Sequence, residues 1–263
     1  MTLTLDKSLA FGYTSKSQIA RRITEDWVEH NMFCPVCGGA NLSHLPVNSP
    51  VGDFSCGLCG AEFELKSQEG NAGTIGRTIP DGAFQTMINR ITSRNNPHLF
   101  VMMYADWMVN WLQLIPNFLF VPSIIKKRKP LAPTARRAGW VGCNIEIGDI
   151  PSTGKINVVW DSRIQEKQQV LSCYQTALAL NMHKIDQRGW LLDVLKCIER
   201  IPTDTFSIED VYCQSEELAR KYPNNNFIKP KVRQQLQRLR DRGFISFLGH
   251  GIYRKTNRLR PQL

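Results

Sequence analysis

Four cysteines in two pairs have the spacing of a zinc site. Cys34 and Cys37 form one Cys-x-x-Cys pair, Cys56 and Cys59 form the other, and 18 residues separate the pairs. Each pair can aim two thiolates at one ion, and four thiolates complete a tetrahedral zinc site with no open coordination position. We therefore predict a structural zinc ion, with a redox dithiol or unliganded buried thiols as the alternatives.

Asp53, Glu64 and Lys66 could catalyse phosphodiester hydrolysis. Ten residues separate Asp53 from Glu64, and Lys66 follows Glu64 by two positions. In a β-strand, Glu64 and Lys66 would lie on one face, and a preceding strand could bring Asp53 to them. Two carboxylates suit magnesium, which offsets phosphoryl charge and acidifies the attacking water, while a lysine can hold or deprotonate that water. Solvated strand charges are the alternative.

A basic segment over residues 126–140 could contact nucleic acid. It contains six Lys or Arg residues and no acid, and its two prolines predict a loop. The cations of such a loop can contact phosphates, and Arg136, Arg137 and Trp140 could add contacts to bases. A solvated basic loop is the alternative.

Charge and composition favour a polyanionic partner and two folded domains. The 263 residues carry a net charge of +10, and 42% of them are hydrophobic, as in ordinary folded proteins. Residues 183–263 hold 16 of the 33 Lys and Arg but 9 of the 23 Asp and Glu, so their net charge is +7, against +3 for residues 1–182. Because the sequence shows no secretion signal and no membrane-spanning apolar run, we expect a cytoplasmic protein without a membrane partner. We also expect it to be monomeric in solution.

Hydrophobic periodicity predicts that residues 1–182 form a mixed α/β, or α+β, domain. Its predicted elements, in chain order, are helix 17–31, strand 62–66, helix 81–91 and strands 99–104, 111–120, 142–145 and 156–160. The second cysteine pair lies between Asp53 and Glu64. The zinc ion would therefore hold the hairpin that carries both carboxylates.

The pattern of residues 183–263 is that of a winged-helix domain. Its predicted elements are helices around 190–198, 208–218 and 230–242, and strands over 244–247 and 252–255. In a winged helix, the third helix enters the major groove and the hairpin contacts the backbone. Arginine and glutamine reach guanine and adenine edges. On the outer face of the third helix these residues are Arg233, Gln234, Gln237, Arg238 and Arg240. A winged helix that contacts protein is the alternative.

Longer motifs extend over nearly the whole chain. They include the four-cysteine frame around Asp53, Glu64-Leu-Lys66, the string RKPLAPTARRAGW at 128–140, TEDW at 24–27, RQQL at 233–236 and LRD at 239–241. Together these motifs resemble the DpnI family of methyl-directed type II restriction endonucleases, within the PD-(D/E)xK nuclease superfamily. Gly52 stands where that superfamily has proline, and Glu64-Leu-Lys66 is the (D/E)xK element.

The resemblance implies a substrate, a fold and a set of roles. The substrate would be double-stranded DNA with GATC sites that carry N6-methyladenine. The fold would be a PD-(D/E)xK domain with an inserted structural zinc site, followed by a small winged-helix domain. Asp53, Glu64 and the backbone carbonyl of Leu65 would bind magnesium, Lys66 would be the catalytic lysine, and the four cysteines would bind zinc. Such nucleases often place an additional acid on a preceding helix, where this chain has Glu25 and Asp26.

Two other functions are compatible with the same residues. One is a transcription factor with a zinc site and a winged helix but no catalysis, and the other is a repair or recombination nuclease of the same superfamily. A regulator has no use for Asp53, Glu64 and Lys66 on one hairpin, which favours an enzyme. A repair nuclease would favour damaged or branched DNA, and only the resemblance selects an intact methylated duplex.

Overall fold

The computed structural model describes residues 1–46, 52–70 and 76–259, which form two compact units whose segments alternate along the chain. The first unit comprises Met1–Arg77, Ser93–Asn117 and Lys155–Gln175, and the second comprises Thr78–Thr92, Phe118–Gly154 and Thr176–Leu263. The second unit thus joins the predicted winged-helix domain to three segments of the predicted nuclease domain, over residues 78–92, 118–154 and 176–182. A domain boundary at residue 183 stays a prediction from the sequence.

Strands and helices are mixed in the N-terminal part, whereas helices dominate the C-terminal part. The helices are α1 (Lys16–Asn31), α2 (Phe84–Thr92), α3 (Lys167–Leu178), α4 (Ile185–Arg200), α5 (Ile208–Tyr212), α6 (Ser215–Lys221) and α7 (Ile228–Asp241). The strands are β1 (Ser43–His44), β2 (Phe54–Ser55), β3 (Glu62–Glu69), β4 (Ile79–Ala83), β5 (His98–Ala105), β6 (Met108–Ile115), β7 (Ile125–Lys127), β8 (Gly142–Ile145), β9 (Ile156–Trp160), β10 (Arg163–Ile164), β11 (Thr205–Ser207), β12 (Ile245–Gly249) and β13 (Ile252–Lys255). The prediction of a mixed α/β N-terminal part is confirmed.

A seven-stranded sheet forms the core of the first unit. Its order is β1-β2-β3-β5-β6-β9-β10, with β3 and β5 parallel and the other neighbours antiparallel. All of β5 except its last residue is buried, as its continuous apolar run predicts. The buried hydroxyl of Thr24 on α1 donates a hydrogen bond to the Ser67 hydroxyl on β3 at 3.1 Å, so the helix is fixed against this strand.

Among the predicted elements, two are displaced in the structure for an identifiable reason. The helix predicted over 81–91 starts later, because the residues that precede α2 form β4 and pair with β8. Strand pairing here outweighs the local helical pattern. The strand predicted over 111–120 ends with β6, since the next residue is Pro116, which has no backbone N–H to continue the ladder.

The second unit contains two small sheets together with the helices α2 and α4 to α7. The sheets have the orders β4-β8-β7 and β11-β13-β12. Two short helices, α5 and α6, occupy the region predicted as one, and β11 joins the predicted hairpin as a third strand. The side chains of Ser207 and Asp210 form a capping box that starts α5 directly after β11. In the part of the chain that the structure describes, no helix is long and apolar enough to cross a membrane.

Polar side chains of α4 bind the segment between β6 and β9. The Glu199 carboxylate accepts three hydrogen bonds of 2.6 to 2.9 Å from the start of the 3-10 helix Ser152–Gly154. Lys196 forms an ion pair of 2.6 Å with Asp149, and the guanidinium of Arg188, which is 3% exposed, donates to a backbone carbonyl of the same segment at 3.2 Å. Helix α4, the first helix of the region predicted as a winged helix, thus also anchors this segment.

Candidate functional site

The four cysteines of the two Cys-x-x-Cys pairs lie together in the first unit. Their sulfur atoms are all within 4.8 Å of one another. The sulfurs of Cys34 and Cys59 are 3.7 Å apart, as are those of Cys37 and Cys56. A tetrahedral zinc ion with Zn–S bonds of about 2.3 Å holds its sulfurs about 3.8 Å apart. The spacing of the cluster therefore fits zinc.

Each cysteine pair forms a tight turn around its sulfurs. The backbone N–H groups of Gly38 and Gly60 donate to the carbonyls of Cys34 and Cys56, both at 2.8 Å. The two glycines have φ angles of +80° and +71°, a conformation that other residues rarely adopt. Burial raises the pKa of Cys34. Burial acts in the same direction on Cys56, but backbone hydrogen bonds together with hydrogen bonds from the Cys37 and Cys34 side chains outweigh it and lower that pKa to about 7. Metal binding requires these thiols to lose their protons.

The second cysteine turn joins the two strands next to the predicted catalytic residues. Cys56 follows β2 directly, and its backbone N–H donates to the Ala61 carbonyl at 2.9 Å just before β3 begins. The two strands then pair in register, with Phe54 opposite Phe63. A metal ion on the cysteines would therefore hold the start of this hairpin.

Asp53 lies where β2 and β3 separate. Its backbone N–H donates to the carbonyl of Phe63 at 2.7 Å, and its side-chain Oδ2 accepts the backbone N–H of Leu65 at 2.8 Å. The carboxylate thus takes the place of the carbonyl group that a neighbouring strand would offer to this N–H. It lies beside the backbone between Glu64 and Lys66.

Glu64 and Lys66 share one face of β3, as the two-residue period of a strand predicts. The Glu64 Oε1 and Lys66 Nζ atoms are 2.7 Å apart, and the side chains are 18% and 30% exposed. The structure therefore brings Asp53, Glu64 and Lys66 together on one stretch of backbone. Their catalytic roles, and that of the Leu65 carbonyl as a metal ligand, stay predictions.

A cleft of about 740 Å³ opens beside Asp53, with α1 as one wall. Glu25 and Asp26, the acids expected on this helix, both line it. Glu25 accepts a hydrogen bond from Nε of Arg21 at 2.7 Å, and this bond raises the pKa of Arg21, with a smaller contribution from the charge of Asp53. Arg21 was not among the predicted site residues. The four-residue spacing between Arg21 and Glu25 is nevertheless typical of an ion pair on a helix.

Helix α7 presents the polar face that its sequence predicts. Its buried face includes Val232, Leu236 and Leu239. Of the predicted DNA-contact residues on α7, Arg238 is half-buried. The others are exposed: Arg233, Gln234, Gln237 and Arg240. One of these cations already has a partner within the protein: Arg233 donates a hydrogen bond to the Tyr212 hydroxyl at 2.6 Å. DNA binding through this face stays a prediction.

Residues 128–140 of the basic segment lie in the loop between β7 and β8, whereas its first two residues belong to β7 and not to the predicted loop. Arg136 and Arg137 are exposed, and Trp140 is half-buried. The guanidinium carbon of Arg137 lies 4.7 Å from the centre of the Trp140 ring, a cation–π contact. The other end of the ring covers Gly142, where an added Cβ atom would lie 2.9 Å from it. Trp140 is thus held in place beside a cation while part of its surface stays accessible.

These features define a chain with a mixed α/β N-terminal part, a four-cysteine cluster and a C-terminal helix-turn-helix domain. Comparison with known protein families makes the assignment more specific. Residues 1–183 match the DpnI family, described as the Dam-replacing family, and residues 186–255 match the Dam-replacing HTH domain. The chain therefore belongs to the DpnI family, which confirms the resemblance in its motifs.

Proposed function

We propose that this protein is a magnesium-dependent type II restriction endonuclease that cuts double-stranded DNA at GATC sites carrying N6-methyladenine. Membership of the DpnI family implies a methyl-directed restriction endonuclease. The main structural support for the rest of the proposal is that Asp53, Glu64 and Lys66 lie together where β2 and β3 separate. In the PD-(D/E)xK superfamily, residues of these types form the nuclease site.

The donor set at this point fits magnesium. Asp53 and Glu64 offer carboxylate oxygens, and the carbonyl of Leu65 is the third protein ligand that we propose. When bound, the ion supplies charge stabilisation for the phosphoryl oxygens and a more acidic water. Lys66 would then hold the attacking water or, in its neutral form, accept its proton. The hydrogen bond from Leu65 N–H to Asp53 keeps one ligand fixed before the substrate arrives.

The cysteine cluster is proposed to hold a structural zinc ion. Four thiolates fill the coordination sphere, so the ion would take no part in hydrolysis. Its role would be to hold the turn between β2 and β3, and so to keep Asp53 beside Leu65. The free thiols of all eight cysteines agree with a cluster that is not consumed by disulfides.

DNA recognition is assigned to two surfaces of the second unit. Helix α7 with the β12-β13 hairpin forms the proposed winged helix, in which the helix enters the major groove. The loop with Arg136, Arg137 and Trp140 is the other surface. The methyl group of N6-methyladenine projects into the major groove as an apolar surface. A partly exposed aromatic ring such as that of Trp140 could contact it.

One digestion experiment tests the proposal. Plasmid prepared with adenine methylation is expected to be cut at GATC sites in magnesium, while the same plasmid without methylation, or with chelator, stays intact. A gel shows whether each plasmid is cut. Cutting of both plasmids would favour a nuclease without methyl direction, preference for branched DNA a repair enzyme, and binding without cutting a regulator.

Replacing Trp140 by alanine is expected to reduce the preference for methylated DNA about five-fold, because an aromatic contact contributes roughly 1 kcal/mol. The measurement is the ratio of cleavage rates on matched methylated and unmethylated duplexes. Trp160→Ala, at a partly exposed tryptophan on β9, serves as the control and should leave the ratio unchanged. An unaltered ratio in Trp140→Ala would remove this residue from methyl recognition.

A further inference from the structure

The cleft beside Asp53 is lined by both acidic and basic side chains, although the substrate of a nuclease is negatively charged. Four acids line it, namely Glu25, Asp26, Glu29 and Asp53, whereas its arginines are Arg21 and Arg22. Such a cleft favours a divalent cation but repels the phosphates of a DNA strand. A strand can enter only where cations, the bound metal as well as side chains of the protein, compensate for this repulsion.

Arg21 has the geometry of a preorganised phosphate ligand. Its Nε atom donates to Glu25 at 2.7 Å, and Glu25 is 16% exposed while Arg21 is 68% exposed. Because the carboxylate takes the Nε–H, the two terminal nitrogens of the guanidinium remain for another acceptor. A planar guanidinium group that Glu25 already holds in this way loses little conformational entropy when it binds a phosphate.

We propose that Arg21, steadied by Glu25, binds a phosphate next to the one that is cut and so positions the DNA strand over Asp53. This role rests on the proposed nuclease function. Glu25 acts through Arg21 as a positioning residue. The helix that carries both is fixed to β3 by the hydrogen bond between Thr24 and Ser67. Arg21 lines the same cleft as Asp53, and the charge of Asp53 contributes to its raised pKa.

The geometry also indicates why an arginine at this place affects the rate more than the affinity. Many contacts distributed along the duplex contribute to binding, so the loss of one phosphate contact changes the total only modestly. A contact beside the reacting phosphate instead sets the alignment of that phosphate with the metal and the water, and small displacements there cost much of the rate.

The test uses single-turnover cleavage of duplexes in which one phosphate at a time is replaced by a neutral methylphosphonate. The wild-type protein is expected to be slowed by the replacement at one position next to the cut. Arg21→Ala should cut the unmodified duplex about ten- to a hundred-fold more slowly, the size of a lost charge-assisted hydrogen bond. It should also lose its sensitivity to the methylphosphonate at that single position. Glu25→Gln should show a smaller loss of rate with the same pattern.

Arg163→Ala, at an exposed arginine on β10, is the control and should match the wild type. Thermal unfolding of Arg21→Ala should also match the wild type, because exposed ion pairs on helices contribute little to stability. Wild-type rates in Arg21→Ala, or slow cleavage with the full wild-type pattern of sensitivity, would overturn the role of Arg21. If the wild-type protein cuts no DNA, the nuclease function itself fails and this role with it.

Discussion

Replacing Asp53 by alanine is expected to lower the rate of DNA cleavage about a thousand-fold or more, while DNA affinity changes only a few-fold. The Asp53 carboxylate is a proposed magnesium ligand, and a catalytic metal contributes several kcal/mol to stabilisation of the transition state. DNA affinity depends mainly on cations elsewhere in the chain. Single-turnover cleavage and a separate binding titration measure the two effects.

Lys66→Ala should give the same separation between rate and affinity. Glu69→Ala is the matched control, since Glu69 lies on the same strand but projects from its other face and is exposed. Cleavage at a near-normal rate by a pure preparation of Asp53→Ala would show that the active site lies elsewhere.

Cys56→Ser is expected to lower zinc content and thermal stability together, with loss of activity as a consequence. Zinc sites in small modules contribute roughly 10 kcal/mol or more to folding, so the loss of one thiolate ligand should remove a large part of that contribution. The affected structure is the turn between β2 and β3, which keeps Asp53 beside Leu65. Metal analysis should find about one zinc per chain in the wild type.

Cys213→Ser is the control for this experiment, because Cys213 is an exposed single cysteine at the end of α5. It should change neither metal content nor unfolding temperature. Freshly purified wild-type protein with free thiols, an intact fold and no zinc would contradict the assignment of the cluster.

Short-range patterns predicted much of the first unit. The two Cys-x-x-Cys pairs indicated a cluster, and the structure places its four sulfurs within 4.8 Å of one another. The two-residue period predicted that Glu64 and Lys66 share a face, and they do. These features depend on residues that are close in sequence, where backbone geometry alone decides which side chains are neighbours.

Features that depend on distant residues were not predicted. The strand β11 is three residues long and exists only because it pairs with β13, about fifty residues later. The hydrogen bond between Thr24 and Ser67 likewise joins residues that no periodicity relates. Arg21 was missed for a similar reason, since only the fold shows that its helix lines the cleft of Asp53. The roles of the candidate site residues stay predictions until the variants are measured.

The polar contacts of α4 limit how this protein can be rearranged. A helix-turn-helix domain exchanged between relatives at residue 183 would carry Glu199 and Arg188 away from the backbone groups that they satisfy. Unpaired buried polar groups of this kind are costly, so such a chimera should fold poorly even when both parents are stable. The segment between β6 and β9 must therefore be exchanged together with the domain. In directed evolution of new specificities, the exchangeable cassette is this discontinuous unit rather than the C-terminal third of the chain.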